Sequence, residues 1–351
     1  MILNIDFDSY LELEKISNGS FLPLKGFMVA EDFFSVCKNM RLKNGKLFPL
    51  PVVLPISKIN ADKVKFNEEL LLYYNNKKVG SILPQSIFEP DLKKYIKLLF
   101  GTNDINHPGY KMIKNMGPLF LGGPIKSFYE IKNKYTSFTL TPRQCIAEIK
   151  KRGLKTVAGF QTRNVPHKAH EYILLSTLKK VDGLFVQPLI GKKKRGDFLP
   201  EAVIKSYQYL IDKVYKKNNI ILGSLTTYMR YAGPREGVFH ALIRKNYGCT
   251  HFLVGRDHAG VGDYYGLYDA QNLCLKYEKE LGIKIIKVRG PFYCKKCLKI
   301  TNDLLCRHKK SRIEVSGTKI RNALLKNLYI EDIFMRKEIV ELIRKNNIFI
   351  K

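Results

Sequence analysis

Strand-like and helix-like segments alternate along the middle of the chain, and this alternation constrains the fold more than any other feature. Five short apolar runs typical of buried strands occur at residues 155–160, 183–190, 219–228, 250–255 and 283–288. Segments that we predict to be helical lie between them, at residues 167–181, 200–215, 235–247 and 268–281. Five strands alternating with four helices predict an α/β fold with a Rossmann-like, doubly wound parallel sheet.

The first 140 or so residues have a different pattern, because Gly, Pro and Asn repeatedly interrupt short apolar stretches. This punctuation predicts β-rich structure with a few helices, and Asn75-Asn76 between two strand-like runs is typical of a hairpin turn. A chain of 351 residues has room for two or three domains. We expect them at residues 1–145, 146–290 and 291–351, the last being a small C-terminal unit.

Composition excludes several classes of protein. Hydrophobic residues make up 45% of the chain and charged residues 26%, which is ordinary globular usage. No apolar run approaches the roughly 18 residues of a membrane span. The N-terminus carries Asp6 and Asp8 where a signal peptide would carry basic residues. We therefore expect a soluble, cytoplasmic protein.

The net charge of +30 has two explanations. One is an anionic partner such as nucleic acid, phosphate or sulfate. The other is codon usage in an AT-rich genome, since the excess is mostly lysine and accompanies many Ile, Asn and Tyr residues and no Trp. The lysines are scattered and form no stripe with aromatic residues, which favours the second explanation.

The seven cysteines fall into two groups, and neither indicates a disulfide framework. Four stand alone among apolar neighbours, and we expect them to be buried: Cys37, Cys145, Cys249 and Cys274. The other three cluster with a histidine, as Cys294, Cys297, Cys306 and His308. Three thiolates and one imidazole form a closed tetrahedral ligand set, which predicts a structural Zn²⁺. A vestigial site is the alternative, because two ligands separated by one residue are close for a single ion.

Unusual polar residues follow the predicted strands. Four of them, Gln161, Thr162, Arg163 and Asn164, come after the first strand, and residues 191–194 (Gly-Lys-Lys-Lys) come after the second. Residues 228–230 (Tyr-Met-Arg) follow the third strand, and residues 255–260 (Gly-Arg-Asp-His-Ala-Gly) follow the fourth. Ligands of an open parallel sheet bind beyond the carboxyl ends of its strands. The four strand ends therefore predict one crevice that carries Arg, Lys and His.

His167 and His170 lie three residues apart at the start of a predicted helix, so they share a face near its positive dipole end. Backbone N–H groups at such a position bind phosphate or sulfate, and two imidazoles can donate to charge that develops on phosphate oxygens. The chain has neither a glycine-rich phosphate loop nor a nucleophile elbow. These features favour direct displacement at a nucleotide phosphate over a covalent intermediate.

Several segments resemble the ATP sulfurylase (sulfate adenylyltransferase) family. Residues 161–171 (Gln-Thr-Arg-Asn-Val-Pro-His-Lys-Ala-His-Glu) are similar to its signature, as are residues 229–236 (Met-Arg-Tyr-Ala-Gly-Pro-Arg-Glu), 240–244 and 255–260. Residues 19–28 and 121–124 resemble its PUA-like N-terminal domain, and residues 316–321 (Ser-Gly-Thr-Lys-Ile-Arg) resemble its C-terminal nucleotide-transfer loop. The resemblance covers nearly the whole chain. Because the chain ends at residue 351, we expect no adenylylsulfate kinase-like domain of the kind that some eukaryotic members carry.

The resemblance implies a reaction of MgATP and sulfate that gives adenosine 5′-phosphosulfate and pyrophosphate, by in-line attack at the α-phosphate. It implies sulfate binding by Gln161, Arg163, Arg256 and Ala259. ATP would contact Gln161, Thr162, Arg163, Asn164, His167, His170, Gly255, Arg256, Asp257 and His258. The catalytic residues would be Thr162, Arg163, Asn164, His167 and His170. It also implies a homodimer, and some bacterial and archaeal members carry a zinc site.

Two departures from the family pattern are visible. The loop at residues 191–197 has a more basic interior than usual, and Gln187 stands where His is common. Two alternatives to the enzyme assignment also remain. A PUA-like domain, a zinc knuckle and a basic surface would suit an RNA-binding protein, and the His-x-x-His pair would suit an adenylyltransferase for another substrate.

Overall fold

The computed structural model describes residues 1–191, 196–216, 218–344 and 349–350, whose strands form three sheets. We number the elements along the chain. The strands are β1 (Ile2–Asn4), β2 (Gly26–Phe27), β3 (Leu54–Pro55), β4 (Leu70–Tyr74), β5 (Lys77–Ile82), β6 (Ser86–Phe88), β7 (Phe120–Phe128), β8 (Val157–Thr162), β9 (Gly183–Pro188), β10 (Ile220–Leu222), β11 (His251–Val254), β12 (Lys284–Lys287), β13 (Phe292–Cys294), β14 (Lys299–Thr301) and β15 (Arg312–Glu314).

The α-helices of the described residues follow the same numbering. They are α1 (Phe7–Ser17), α2 (Ala30–Asn39), α3 (Lys58–Ala61), α4 (Leu92–Phe100), α5 (Pro108–Asn115), α6 (Pro142–Lys151), α7 (Lys168–Thr177), α8 (Pro200–Tyr209), α9 (Gly233–Asn246), α10 (Asp269–Lys276), α11 (Glu278–Leu281), α12 (Gly317–Leu325) and α13 (Lys337–Arg344).

The N-terminal part is built on a mainly antiparallel sheet in the order β1-β4-β5-β7-β2, with β3 and β6 also paired to β7. Only the β1–β4 pairing is parallel among these. The hairpin between β4 and β5 turns at Asn75 and Asn76, whose φ angles are 50° and 58°. A type I′ turn requires left-handed backbone at both positions, and Asn tolerates it. The predicted β-rich character and hairpin are confirmed.

The central sheet is parallel, in the order β10-β9-β8-β11-β12. The chain begins this sheet at β8, builds outward to β9 and β10, and then returns to place β11 on the other side of β8. The point where the strand order reverses therefore lies between β8 and β11. This topology confirms the predicted doubly wound sheet and places its ligand-binding edge at the ends of β8 and β11.

Three elements of this region differ from the predicted ones. The strand predicted at residues 219–228 is ordered as β10 only to Leu222, after which the chain leaves the sheet by way of isolated bridges at Ser224 and Leu225. The helix predicted to residue 215 changes after Tyr209 into a π-helical segment, Leu210–Tyr215. The helix predicted at residues 268–281 is divided at Tyr277 into α10 and α11.

The C-terminal region contributes a small antiparallel sheet, β14-β13-β15, and the helices α12 and α13. Apolar residues of these helices, such as Ile320, Leu324 and Ile339, share one buried cluster with Leu184 and Val186 of β9. The tail is thus packed on the central sheet by hydrophobic burial. The expected domain limits at residues 145 and 290 stay predictions.

Two further predictions concern burial and membrane association. Cys37, Cys145, Cys249 and Cys274 are buried free thiols, as expected from their apolar neighbours. Within the described ranges, no helix combines the length and the apolar character needed to cross a bilayer.

Candidate active site

The loops that leave β8 and β11 line one crevice of about 1890 Å³ at the reversal point of the sheet. The structure brings together every residue predicted for sulfate or ATP: Gln161, Thr162, Arg163, Asn164, His167, His170, Gly255, Arg256, Asp257, His258 and Ala259. Two strands that are adjacent in space but distant in sequence therefore supply the two halves of the crevice. The individual roles of these residues stay predictions.

The other two predicted strand ends contribute less. Met229 lines the crevice, but Arg230 does not reach it, which corrects our expectation for that loop. The Arg230 guanidinium is buried and donates from Nη2 to both carboxylate oxygens of Glu12, at 2.8 and 3.0 Å. It lies 4.8 Å from the ring centroid of Phe239. The basic residues 192–195 after β9 lie outside the described residues.

The loop after β11 has an unusual backbone. Asp257 and Ala259 have φ angles of 55° and 57°, a left-handed conformation that side chains disfavour. A Cβ at Gly260 would lie 1.7 Å from Asp257 Oδ1, so any larger residue here would have to displace the Asp257 side chain. Non-glycine residues held in this region cost on the order of 1–3 kcal/mol each, and such strain concentrates at functional sites.

His167 and His170 stand at the start of α7, as predicted from the sequence. His167 is the N-cap residue, and its Nδ1 accepts a hydrogen bond from the backbone N–H of His170 at 3.4 Å. Since Nδ1 is the acceptor, the proton of a neutral His167 ring is on Nε2. A Cβ on Gly317 would lie 3.6 Å from this Nε2, so the N–H faces the start of α12.

Both imidazoles are held in their neutral form. Burial lowers the pKa of His167 to about 4. Burial also lowers the pKa of His170 well below its usual value, and the neighbouring His167 adds to that effect. The hydroxyl of Tyr207 lies 3.3 Å from His170 Nδ1. A neutral imidazole keeps one N–H group, so each ring can still donate one hydrogen bond to an anion.

The starts of two helices meet in the crevice. Ser316 caps α12, accepting a hydrogen bond from Lys319 N at 3.3 Å, and both Ser316 and Gly317 line the crevice. The tail is fixed to α7 where Arg336 Nε donates to Glu171 Oε2 at 2.7 Å and Lys168 N donates to the Phe334 carbonyl at 2.8 Å. Exposed N–H groups and aligned peptide dipoles at two helix starts favour an anion.

A hydrogen-bonded group beneath the crevice was not predicted. Glu236 and His240 lie four residues apart on α9, and His240 contacts both Gln161 and His258. The i, i+4 spacing of an acid and a histidine was visible in the sequence and would have placed them on one helix face. Which side of the sheet that face meets could not be read from the spacing.

The predicted metal ligands converge near β13 and β14. The Sγ atoms of Cys294, Cys297 and Cys306 and the Nδ1 of His308 all lie within 4.8 Å of one another. Cys297 Sγ is 3.8 Å from Cys306 Sγ and 3.4 Å from His308 Nδ1. A tetrahedral ion with Zn–S bonds of about 2.3 Å places its sulfur ligands about 3.8 Å apart. The four donors therefore fit a structural Zn²⁺.

Fold and crevice together define the class: an α/β protein whose parallel sheet opens, at its reversal point, onto a crevice with arginines and neutral histidines. Comparison with known proteins identifies the particular family. The ATP-sulfurylase family model matches residues 136–346, and a PUA-like domain model matches residues 2–130. The chain belongs to the ATP-sulfurylase family.

The chain is also similar to individual members. It is 40% identical over 343 residues to the sulfate adenylyltransferase of Pyrococcus abyssi (strain GE5 / Orsay), and the match covers 97% of this chain and 89% of that protein. The identity and both coverages are the same for the sulfate adenylyltransferase of Thermococcus onnurineus (strain NA1). The sulfate adenylyltransferase of Ignicoccus hospitalis is 39% identical over 345 residues, which cover 97% of this chain and 90% of that protein.

The fold is also similar to that of a solved structure. The hexameric APS kinase from Thiobacillus denitrificans matches with a TM-score of 0.77 and 18% sequence identity. The match covers 98% of this chain and 63% of that one, so this chain spans less than two thirds of that protein. At this identity the likeness shows the architecture alone.

Proposed function

We propose that the crevice between β8 and β11 is the site where this chain joins sulfate to the adenylyl group of ATP. The chain is an enzyme of the nucleotidyltransferase class, and its function is that of a sulfate adenylyltransferase. The reaction is ATP + sulfate ⇌ adenosine 5′-phosphosulfate + pyrophosphate. The observation that carries the proposal is that the loops after β8 and β11 and the start of α12 line the same crevice.

Sulfate would bind on the arginine side of this crevice. Sulfate is a weak nucleophile, so the enzyme must hold it in line with the α-phosphorus and screen its repulsion from ATP. Arg163 and Arg256 supply positive charge and planar hydrogen-bond donors for an oxyanion. Gln161 and Ala259 would complete the binding site with uncharged contacts.

ATP would place its phosphates against the histidine side. The N–H groups of His167 and His170, with the starts of α7 and α12, can donate to the oxygens on which charge develops. Thr162 and Asn164 flank Arg163 in the segment that leads from β8 to these histidines, and Thr162 Oγ1 accepts from Asn164 N at 3.2 Å. On the side of the crevice formed by the loop after β11, the nucleotide would contact Gly255, Asp257 and His258. We also propose that ATP enters as its Mg²⁺ complex, and this ion neutralises the pyrophosphate that leaves.

The metal site would have a supporting role. We propose that Cys294, Cys297, Cys306 and His308 hold a structural Zn²⁺, because a closed set of four protein ligands leaves no position for substrate. The ligands precede β15, which leads into Ser316 at the edge of the crevice. The metal would thus fix the segment that brings α12 to the phosphates.

We also propose that the enzyme works in the cytoplasm as a homodimer, as expected from its resemblance to the family. Light scattering of the purified protein tests the second statement, because a monomer mass at micromolar concentration would contradict it. Neither the family match nor the relatives support the RNA-binding alternative.

The reverse reaction is the simplest test. ATP formation from adenosine 5′-phosphosulfate and pyrophosphate with Mg²⁺ is followed by luminescence, leaving out each substrate in turn. We expect ATP only when both substrates are present, and strong loss of activity in Arg163→Ala. His251→Gln is the matched control, since His251 lies at the opposite end of β11 from the crevice. No ATP from folded, zinc-loaded protein would contradict the proposal.

A further inference from the structure

Beneath the crevice, one imidazole contacts a predicted sulfate ligand and a predicted ATP ligand at once. His240 Nδ1 lies 3.1 Å from Gln161 Nε2 and 3.1 Å from His258 Nε2. Gln161 Nε2 is also 3.2 Å from His240 Nε2. His240 is buried on α9, a helix that follows the β10 loop, whereas Gln161 ends β8 and His258 follows β11.

The protonation of His240 follows from its other neighbour. Glu236 Oε1 accepts from the backbone N–H of Arg230 at 2.8 Å, and Oε2 accepts from Ala232 N at 3.1 Å. Burial raises the pKa of Glu236, but His240 and the Arg230 N–H lower it by more, so the group is a carboxylate. His240 Nε2 lies 3.5 Å from Glu236 Oε1. Since a carboxylate only accepts, Nε2 carries the proton and Nδ1 carries the lone pair.

This lone pair determines how the two crevice residues are oriented. Nδ1 has a single lone pair, which the amide nitrogen of Gln161 and a protonated Nε2 of His258 can share as donors. Gln161 Oε1 is buried and makes no hydrogen bond to any residue that the structure describes, so the amide is held through its nitrogen. The second N–H of that amide is then left for a ligand in the crevice.

We propose that His240 is a positioning residue that, fixed by Glu236, orients Gln161 for sulfate and His258 for nucleotide. The proposal rests on the proposed function and adds a residue that touches neither substrate. It predicts that the acceptor at Nδ1, rather than the ring itself, is what the reaction requires. Two amide substitutions test whether the acceptor at Nδ1 or the ring itself is required. The side-chain amide of Asn reaches the position of Nδ1, whereas that of Gln reaches the position of Nε2.

The test compares His240→Asn with His240→Gln. In H240N the side-chain oxygen can accept from Gln161 and His258, and the contact with Glu236 is lost. In H240Q the contact with Glu236 is kept and the acceptor is lost. We expect H240Q to raise the KM for sulfate about tenfold, the lower end of the effect of losing an orienting partner at metal sites. We expect H240N to stay close to the wild-type KM. Sulfate KM and kcat are measured from pyrophosphate release with saturating MgATP.

The pH profile gives a second readout. Protonation would turn Nδ1 into a donor that repels Gln161, so the wild-type KM for sulfate should rise as His240 titrates. Burial lowers the pKa of His240, and the nearby Arg244 and Arg230 oppose the effect of Glu236. His258 titrates in the same pocket and its pKa is lowered by burial, His240 and Arg244. The rise should therefore begin below the usual histidine value of about 6.5 and be weaker in H240N.

Two results would overturn the positioning role of His240, and a third would contradict the proposed function. Equal sulfate KM values in H240N and H240Q, in folded proteins, would overturn the inference. If H240Q does not fold, Glu236→Gln replaces it, because it removes the negative charge and one of the two acceptor oxygens of the group that holds the ring proton on Nε2, and it should raise the sulfate KM with the imidazole present. An unchanged KM in folded E236Q would then overturn the inference. Inactive wild-type enzyme, in contrast, would contradict the proposed function itself.

Discussion

The imidazoles of His167 and His170 stack face to face, with ring centroids 3.8 Å apart and 17° between their planes. Burial lowers the pKa of both rings, and for His170 a charge on the adjacent His167 ring would lower it further. The stack thus keeps two hydrogen-bond donors neutral at the entrance of two helices. An anion that binds next to the two rings stabilises their protonated form and therefore raises their pKa.

Pyrophosphate binding should therefore be linked to proton uptake at about pH 6. The negative charge of the ligand offsets the cost of a buried imidazolium, so the pKa of one or both rings rises on binding. Calorimetric titrations in two buffers with different ionisation enthalpies measure the protons taken up. Pyrophosphate also titrates near this pH, so the His167→Asn, His170→Asn double variant is the control. Equal uptake by that variant and the wild type would show that the rings remain neutral.

Arg163→Lys should weaken sulfate binding although the charge is kept. The guanidinium offers several donors in one plane, whereas an ammonium is a point charge that cannot hold two oxygens of sulfate in the same way. We expect the KM for sulfate to rise by about tenfold or more, equivalent to at least one charge-assisted hydrogen bond of about 1.5 kcal/mol. Initial rates at varied sulfate measure it, and Arg143→Lys on α6 is a matched control. Equal effects of the two substitutions would contradict the role of Arg163.

The ion pair between Arg230 and Glu12 should be a main contribution to holding α1 against the central sheet. Removing one partner leaves a buried charge, so Glu12→Gln should lower the free energy of unfolding by about 3–5 kcal/mol. Replacing both groups, as in Glu12→Leu with Arg230→Met, should cost less than the single substitution. Urea denaturation measures these values, and Glu31→Gln in the exposed pair with Lys43 should change little. A double variant less stable than Glu12→Gln would contradict the expectation.

The contrast between these sites shows what the sequence could predict. The apolar periodicity predicts the parallel sheet, and the rule for strand ends predicts that residues 161–164 and 255–260 share one crevice. The same rule predicted that Arg230 lies in the crevice, and this was wrong. Its guanidinium instead pairs with Glu12 on α1, which is 218 residues away in the sequence. His240 was visible within a family motif, but its role depends on two side chains from β8 and the β11 loop. Local patterns predict elements and edges, whereas pairing across distant segments requires the tertiary structure.

Stability should decrease in mild acid. Burial lowers the pKa of His167, His170, His240 and His258 in the folded protein, so the unfolded chain binds protons more readily. Burying these histidines in their neutral form stabilises the fold fully when the pH is above their pKa in the unfolded chain, about 6.5. This stabilisation is lost as the pH falls toward their lower pKa values in the folded protein. We expect a lower unfolding midpoint in urea at pH 5 than at pH 7.5, and a smaller difference in the His167→Asn, His170→Asn variant. Equal midpoints at the two pH values would contradict this.

Removal of the proposed zinc should loosen the segment that leads to α12 and reduce activity with it. Structural metal sites couple ligand binding to local folding, so the strands β13 and β14 should exchange amide hydrogens faster once the ion is removed. Hydrogen-exchange mass spectrometry of the chelated protein measures this, with metal content determined in the same sample. Cys297→Ser should have the same effect, and Cys274→Ser, which changes a buried thiol on α10, is the control. Re-addition of Zn²⁺ should restore both protection and ATP formation in the wild type. Full activity and unchanged exchange after complete removal of zinc would show that β15 and Ser316 hold their positions without the metal.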